Sequence, residues 1–256
     1  MKKKFSKELD KAKKDYEDVG GWRGMKSGEW LIKIITKSFK NYFEKADEEY
    51  FKLKYGTDDK KYIAKKLIKV AAKNASLLGG ITGATVSVDE AAALLTGGEA
   101  GVGLPANIAI AGLSIGVEAI VLINIQLKLV ANLAKLYDDP LDPDDPEDIL
   151  IILAYALGGK LTDTLSKFLA KKSGILAKNT IKRVIKKEVL AELKRLGAKM
   201  GMKILQRNII KYTVPGVSIM VGGGWNYFAT KKVGKIAIKY FKERAQEHAT
   251  SRKGDK

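Results

Sequence analysis

An all-α fold is predicted: a helical bundle with a central apolar, Gly-rich helical region and basic amphipathic outer helices. Three features predict it. Apolar residues recur at helical spacing in nearly every segment outside the Gly and Pro runs. Strand signals are weak, the best being the short run from Thr82 to Val88. Charge falls in blocks: residues 1–74 carry 21 basic and 12 acidic groups, 75–159 carry 2 and 11, and 160–256 carry 24 and 6. An acidic, apolar centre thus lies between basic flanks, and no Lys or Arg occurs between Lys73 and Lys128.

The elements follow in order. Phe5, Leu9, Ala12, Tyr16 and Val19 alternate steps of four and three, which predicts an amphipathic helix over residues 3–18. Gly20, Gly24 and Gly28 mark a turn region. A second helix is predicted over 29–54, with Leu31, Ile34, Ile35, Phe39, Tyr42, Phe43, Tyr50 and Phe51 on its buried face, and a third from Asp59 to Leu78. Ser87 and Glu90 have capping-box spacing before Ala91–Leu95, which implies a short helix ending at Gly97 and Gly98.

Pro105 opens a long apolar helix, Asn107 to Tyr137, followed by a boundary rich in Asp and Pro from Asp138 to Glu147. Pro146 suits a first helical position with Asp145 as its cap. Thr180 to Ile210 reads as one long basic helix with Val189, Leu193, Leu196, Met200 and Ile204 as its apolar stripe. The uncharged run 212–230 contains Pro215, Gly216, Gly222, Gly223 and Gly224 and is not expected to form one regular helix; the three successive glycines are expected to mark a tight backbone approach or a helix break that a Cβ would obstruct. A final amphipathic helix is expected from Lys231 to about Gln246, before a polar tail, 248–256.

Composition limits the chemistry. A 256-residue chain buries roughly 70–75% of its unfolded surface, so no metal or disulfide staple is required. With no Cys and one His, thiol nucleophiles, zinc ribbons and most Ser-His-Asp schemes are excluded. Gly158-Gly159-Lys160-Leu161 and Gly24-Met25-Lys26-Ser27 both lack residues that a phosphate-binding loop needs. Gly101-Val102-Gly103 has no strand-turn-helix unit around it, and the Asp/Pro boundary lacks the Gly and terminal Glu of a calcium loop. His248 reads as a solvated residue. No metal, cofactor or catalytic residue is expected, and the sequence names no reaction. Met1-Lys2-Lys3-Lys4 is followed by polar residues where a signal peptide would be apolar, so a cytoplasmic start is expected.

What remains is a surface. A formal net charge of +18 favours anionic partners, either membrane phospholipids or nucleic acid. Arg195, Lys199, Lys203, Arg207 and Lys211 recur every four residues beside the apolar stripe, and Lys182, Arg183, Lys186 and Lys187 precede them. These nine residues are the candidate anionic-surface contacts. Within the apolar centre Glu118 is the only charge between Glu99 and Lys128, with Ser114 one turn below and Asn107 nearly in line. It is expected to be a satisfied buried acid, with an ion or proton relay as the sharper alternative. Residues 104–127 are long enough to span a bilayer, since ~24 helical residues reach ~36 Å. The acid and polar residues offset the apolar gain, which favours a buried helix over a constitutive span. Gly112 and Gly116 have the spacing that allows close helix approach.

Leu104-Pro105, the apolar helix ending at Gln126, Ala134-Lys135-Leu136-Tyr137-Asp138 and Asp142-Pro143-Asp144-Asp145-Pro146-Glu147 resemble the EcsC protein family. Pro215-Gly216, Gly222-Gly223-Gly224, Asn226, Lys232-Val233-Gly234 and Phe241 are similar to that family's closing segment. Together these runs cover about 80–241, and Tyr137-Asp138 stands where the family usually has Tyr-Gly. The resemblance implies a mostly helical bacterial protein, with an EcsC-like domain over 59–247 after N-terminal helices at 1–58. Structural roles are expected for Pro105, Pro146, Pro215, Gly222, Gly223, Gly224 and Gly234. It transfers no catalytic residue. The expected function is non-enzymatic: a cytoplasmic protein peripheral to the inner face of the membrane, binding anionic lipids or a membrane protein partner. Nucleic-acid binding through the basic helix 180–211 is the alternative.

Overall fold

The computed structural model describes residues 2–43, 48–82, 106–138, 141, 187, 190–191, 193–200, 202 and 218–254. Of these, 92% are helical and none is in a strand, so the fold is all-α. The helices are α1 (Lys2–Asp18), α2 (Gly21–Ser27), α3 (Glu29–Phe43), α4 (Glu48–Tyr55), α5 (Lys60–Thr82), α6 (Ala106–Leu136), α7 (193–200) and α8 (Ser218–Gly254). The short helix at 91–95, Pro105, Pro146, Pro215 and all of the expected strand after Thr82 lie outside the described residues.

The N-terminal helices obey their periodicity. On α1, Ala12 and Tyr16 are buried, and Val19 follows on the same stripe. Gly20 and Gly28 take left-handed φ values of 89° and 76°, and between them the expected turn region contains the short helix α2. Of the helix expected over 29–54 the described parts are α3 and the first seven residues of α4, both helical, with 44–47 outside the described residues. Phe51 is buried as expected, but Tyr50 is exposed and stacks with Lys54, whose ammonium lies 5.4 Å from the ring centroid. Asp59 caps α5 by accepting hydrogen bonds from the backbone N–H groups of Lys61 (2.8 Å) and Tyr62 (3.1 Å).

Helix α6 is the axis of the fold. Every residue from Ile115 to Ile123 is buried, as a helix apolar on all sides requires. Helices α1, α3, α5 and α8 surround it, and each Ile or Leu removed from water there contributes roughly 1.5–3 kcal/mol. Ile115–Leu136 is long and apolar enough to cross a membrane, and most of it is buried inside the protein. Described residues from both 1–58 and 59–247 join one apolar cluster, with Trp30 and Ile34 beside Ile120 and Leu129 as members. At its end, Asp138 has φ 54°, a left-handed position for a residue with a side chain.

From Ser218 onward helix α8 corrects the sequence expectation, while 212–217 lie outside the described residues. It runs without interruption from Ser218 to Gly254, through Gly222, Gly223 and Gly224 and on into the stretch read as a tail. Three glycines weaken a helix by about 1 kcal/mol each relative to Ala, and contact with α5 offsets that loss. A Cβ at Gly223 would lie 2.9 Å from the Ser76 carbonyl oxygen, and one at Gly234 would lie 2.5 Å from Ile68 Cγ1 and 3.2 Å from Leu129 Cδ2. Position 224 has nothing within 4 Å, so the tight approach belongs to Gly223 and Gly234. These contacts also set direction: α8 runs antiparallel to α5 and in the same sense as α6.

Candidate functional site: a buried polar seam and basic helical surfaces

Glu118 is fully buried on α6, and its carboxyl Oε1 accepts a hydrogen bond from Asn226 Nδ2 of α8 at 3.0 Å. Two turns along, Gln126 Nε2 donates to Thr230 Oγ1 at 3.5 Å, again between α6 and α8 and fully buried. Ser38 Oγ of α3 donates to Asn124 Oδ1 of α6 at 2.8 Å. A polar seam therefore crosses the apolar core. Partners for it come from α8 and α3, while the side chains of Ser114 and Asn107 lie outside the described residues. The sequence marks Asn226 only through the family resemblance and gives Thr230 no role, because the run containing them does not read as helix. Their four-residue spacing within an uncharged stretch is the signal that a helix there would have exposed.

A second polar contact joins α1 to α3. Lys37 Nζ donates to Asp15 Oδ1 at 2.7 Å and to Asp18 Oδ2 at 2.8 Å, and Asp15 is buried while Asp18 is not. Those hydrogen bonds push the Lys37 ammonium up to about 12. Tyr16, packed beside them on α1, is also raised to about 12, by burial.

Of the expected surface contacts, Lys187, Arg195 and Lys199 are described, and all three are exposed. Leu193 and Leu196 are buried and Met200 is half-buried, so α7 has the outward basic and inward apolar sides that its pattern predicts. Lys194 joins the outer side and pairs with Glu29 at 2.8 Å, a contact that holds the Glu29 carboxyl below its ordinary range. The helix is fixed by close backbone approach: a Cβ at Gly197 would lie 2.7 Å from the Gly28 carbonyl oxygen, and Trp30 Nε1 donates to the Gly197 carbonyl at 3.2 Å. Lys182, Arg183, Lys186, Lys203, Arg207 and Lys211 lie outside the described residues.

Basic residues also line a surface that the sequence reading passed over. Helix α5 holds six lysines and no acid, and residues 218–242 of α8 hold five lysines and no acid. Lys61, Lys65, Lys69 and Lys73 are exposed on the first, Lys232, Lys235, Lys239 and Lys242 on the second. Among the described residues no three His, Asp or Glu side chains are grouped to hold a metal ion. The described residues thus present exposed cations around an apolar core crossed by a polar seam.

No family model, no curated protein and no solved structure matches the chain.

Proposed function

We propose that this chain is a non-enzymatic helical protein that associates with anionic membrane surfaces, or with a membrane protein partner there, through its basic helices. The observation that carries the reading is α7, where exposed Arg195 and Lys199 flank buried Leu193 and Leu196. Such a helix offers cations to phosphate headgroups while its apolar side holds it to the protein. Placement at the inner face of the membrane belongs to the same proposal. So does kinship with the EcsC family, whose usual Gly after Tyr matches the left-handed conformation taken here by Asp138.

Co-sedimentation with liposomes of defined charge tests the reading. Strong binding to anionic vesicles and weak binding to neutral ones is expected. Each cation near an anionic surface is worth about 1 kcal/mol, so replacing Arg195, Lys199, Lys203 and Arg207 with Gln weakens binding by up to ~4 kcal/mol, less as salt rises. Preference for DNA or RNA over anionic liposomes at matched salt selects nucleic-acid binding instead. Undiminished binding that resists high-salt extraction makes the apolar 100–127 segment the anchor.

A further inference from the structure

The exposed side of α8 carries its residues in two classes, divided along the helix axis. Trp225, Phe228, Lys232, Lys235, Lys239 and Lys242 are all exposed and follow one another at alternating steps of three and four, which places them on a single stripe. The first two are large and apolar: Trp225 is 50% exposed and Phe228 69%. The next four are lysines, and the first acid of α8, Glu243, stands beyond them, 3.7 Å from Lys239.

Helix α5 lies beside it and exposes lysines along its length together with Leu77 near its C-terminal end. Because Ser76 lies against Gly223 and Ile68 against Gly234, the C-terminal end of α5 is level with the aromatic end of α8. Leu77, next to Ser76, is 59% exposed at that end, while exposed Lys61 and Lys65 lie toward the other. Leu77 is thus level with the aromatic end of α8, with Lys73 one turn before it, and Lys61 and Lys65 are level with the lysine end. Successive helical residues rise 1.5 Å, so Trp225 and Lys239 stand ~21 Å apart along the axis.

We propose that α5 and α8 form an interfacial docking face for an anionic bilayer, entered obliquely. Trp225, Phe228 and Leu77 reach the boundary between headgroups and acyl chains, and the lysines hold headgroup phosphates behind them. Trp is the side chain best suited to that boundary, with an apolar body and a polar N–H. Lysine stems lie along apolar surface and keep the ammonium in water. The charge selects this occupant over a second copy of the chain, since two such faces brought together would oppose lysine with lysine. Leu77 and Val70, both exposed, add aliphatic surface beside Trp225 and Phe228, and aliphatic side chains gain from acyl chains what they cannot gain from stacked bases, which favours lipid over single-stranded nucleic acid. This inference rests on the membrane reading above but places the contact on a different surface from α7.

The protein carries its own reporter. Trp22 and Trp30 are buried, and Trp225 is the exposed member of the three tryptophans. Vesicles of phosphatidylglycerol and phosphatidylcholine in equal parts, with brominated acyl chains, are mixed with the full chain and Trp emission is followed alongside sedimentation. The expected result is a blue-shifted, bromine-quenched emission on these vesicles, absent with brominated phosphatidylcholine alone. Trp225→Phe removes the quenching while binding persists, which assigns the signal to this side chain. Lys232, Lys235 and Lys239 replaced together with Gln weaken binding ten- to a hundred-fold at low salt, with an unchanged melting temperature. Sedimentation without quenching of Trp225 overturns this docking face and leaves the membrane reading intact. Absence of sedimentation overturns both, and tighter binding to single-stranded DNA at matched salt, with Trp225 quenched by the DNA, overturns the choice of lipid.

Discussion

The Tyr16 ring of α1 lies directly over the backbone of Gly116 on α6: a Cβ added at Gly116 would collide with Tyr16 Cδ2 and Cε2 and come within 3.3 Å of its Cγ. The absence of a side chain at Gly116 is what admits the ring. Gly116→Val is therefore expected to destabilise the protein by ~1–3 kcal/mol through overpacking. In Gly116→Ala combined with Tyr16→Ala, the loss should be smaller than the sum of the single losses by ~0.5–3 kcal/mol, as thermal or urea unfolding would measure.

Burial also makes Tyr16 a sensor of alkaline pH. Its phenol is raised from 10.0 to about 12, so the folded state keeps the proton over a range in which the unfolded chain has lost it. The stabilisation is full below pH 10 and is lost as pH rises from 10 to 12, with an upper bound of about 3 kcal/mol. Lys37, raised from 10.5 to about 12, titrates in an overlapping window. Tyr16→Phe removes the Tyr16 contribution alone, so its unfolding free energy should fall less steeply above pH 10 than that of the natural chain.

Glu118 and Asn226 form a buried pair, and deleting one member takes a buried hydrogen bond from the other. Asn226→Leu is expected to cost ~1–3 kcal/mol by leaving Glu118 without its amide donor. Denaturant midpoints for Asn226→Leu, Glu118→Leu and the double variant would show the double variant to be more stable than the sum predicts.

Adjacent glycines on α8 should respond oppositely. Gly224 faces open space, so Gly224→Ala gains helix propensity and stabilises by up to about 1 kcal/mol. Gly223→Val forces a side chain onto the Ser76 carbonyl oxygen and should destabilise by more than ~1 kcal/mol. Equal melting temperatures for the two variants would contradict the α5–α8 contact.

Asp138 ends α6 with its backbone N–H donating to the Lys135 carbonyl at 3.2 Å and with φ 54°. A left-handed residue other than Gly is strained by up to about 1 kcal/mol when its short polar side chain eases the fit. Asp138→Gly should raise the unfolding free energy by that amount in calorimetry.

Helices α1 and α6 are legible because their apolar residues state their own geometry: Ala12, Tyr16 and Val19 describe a stripe, and the run from Ile115 to Ile123 describes a helix buried on all sides. The basic outer side of α7 was legible for the same reason. Helix α8 was misread because local propensity argues against a helix through three glycines, and the term that overrides it is the close approach of Ser76 from a distant part of the chain. The partner of Glu118 was illegible on similar grounds. Periodicity gives the angle of a residue on its own helix, while the match between 118 and 226 depends on how two helices are shifted along each other.

Asn226 meets Glu118, and eight residues later Gly234 must meet Ile68 and Leu129. Inserting or deleting a single residue between them turns one mark by 100° and slides it by 1.5 Å relative to the other. Both contacts cannot then be kept. The stretch from 226 to 234 consequently works like a ruled scale, open to changes of letter at its outward positions and closed to any change of length.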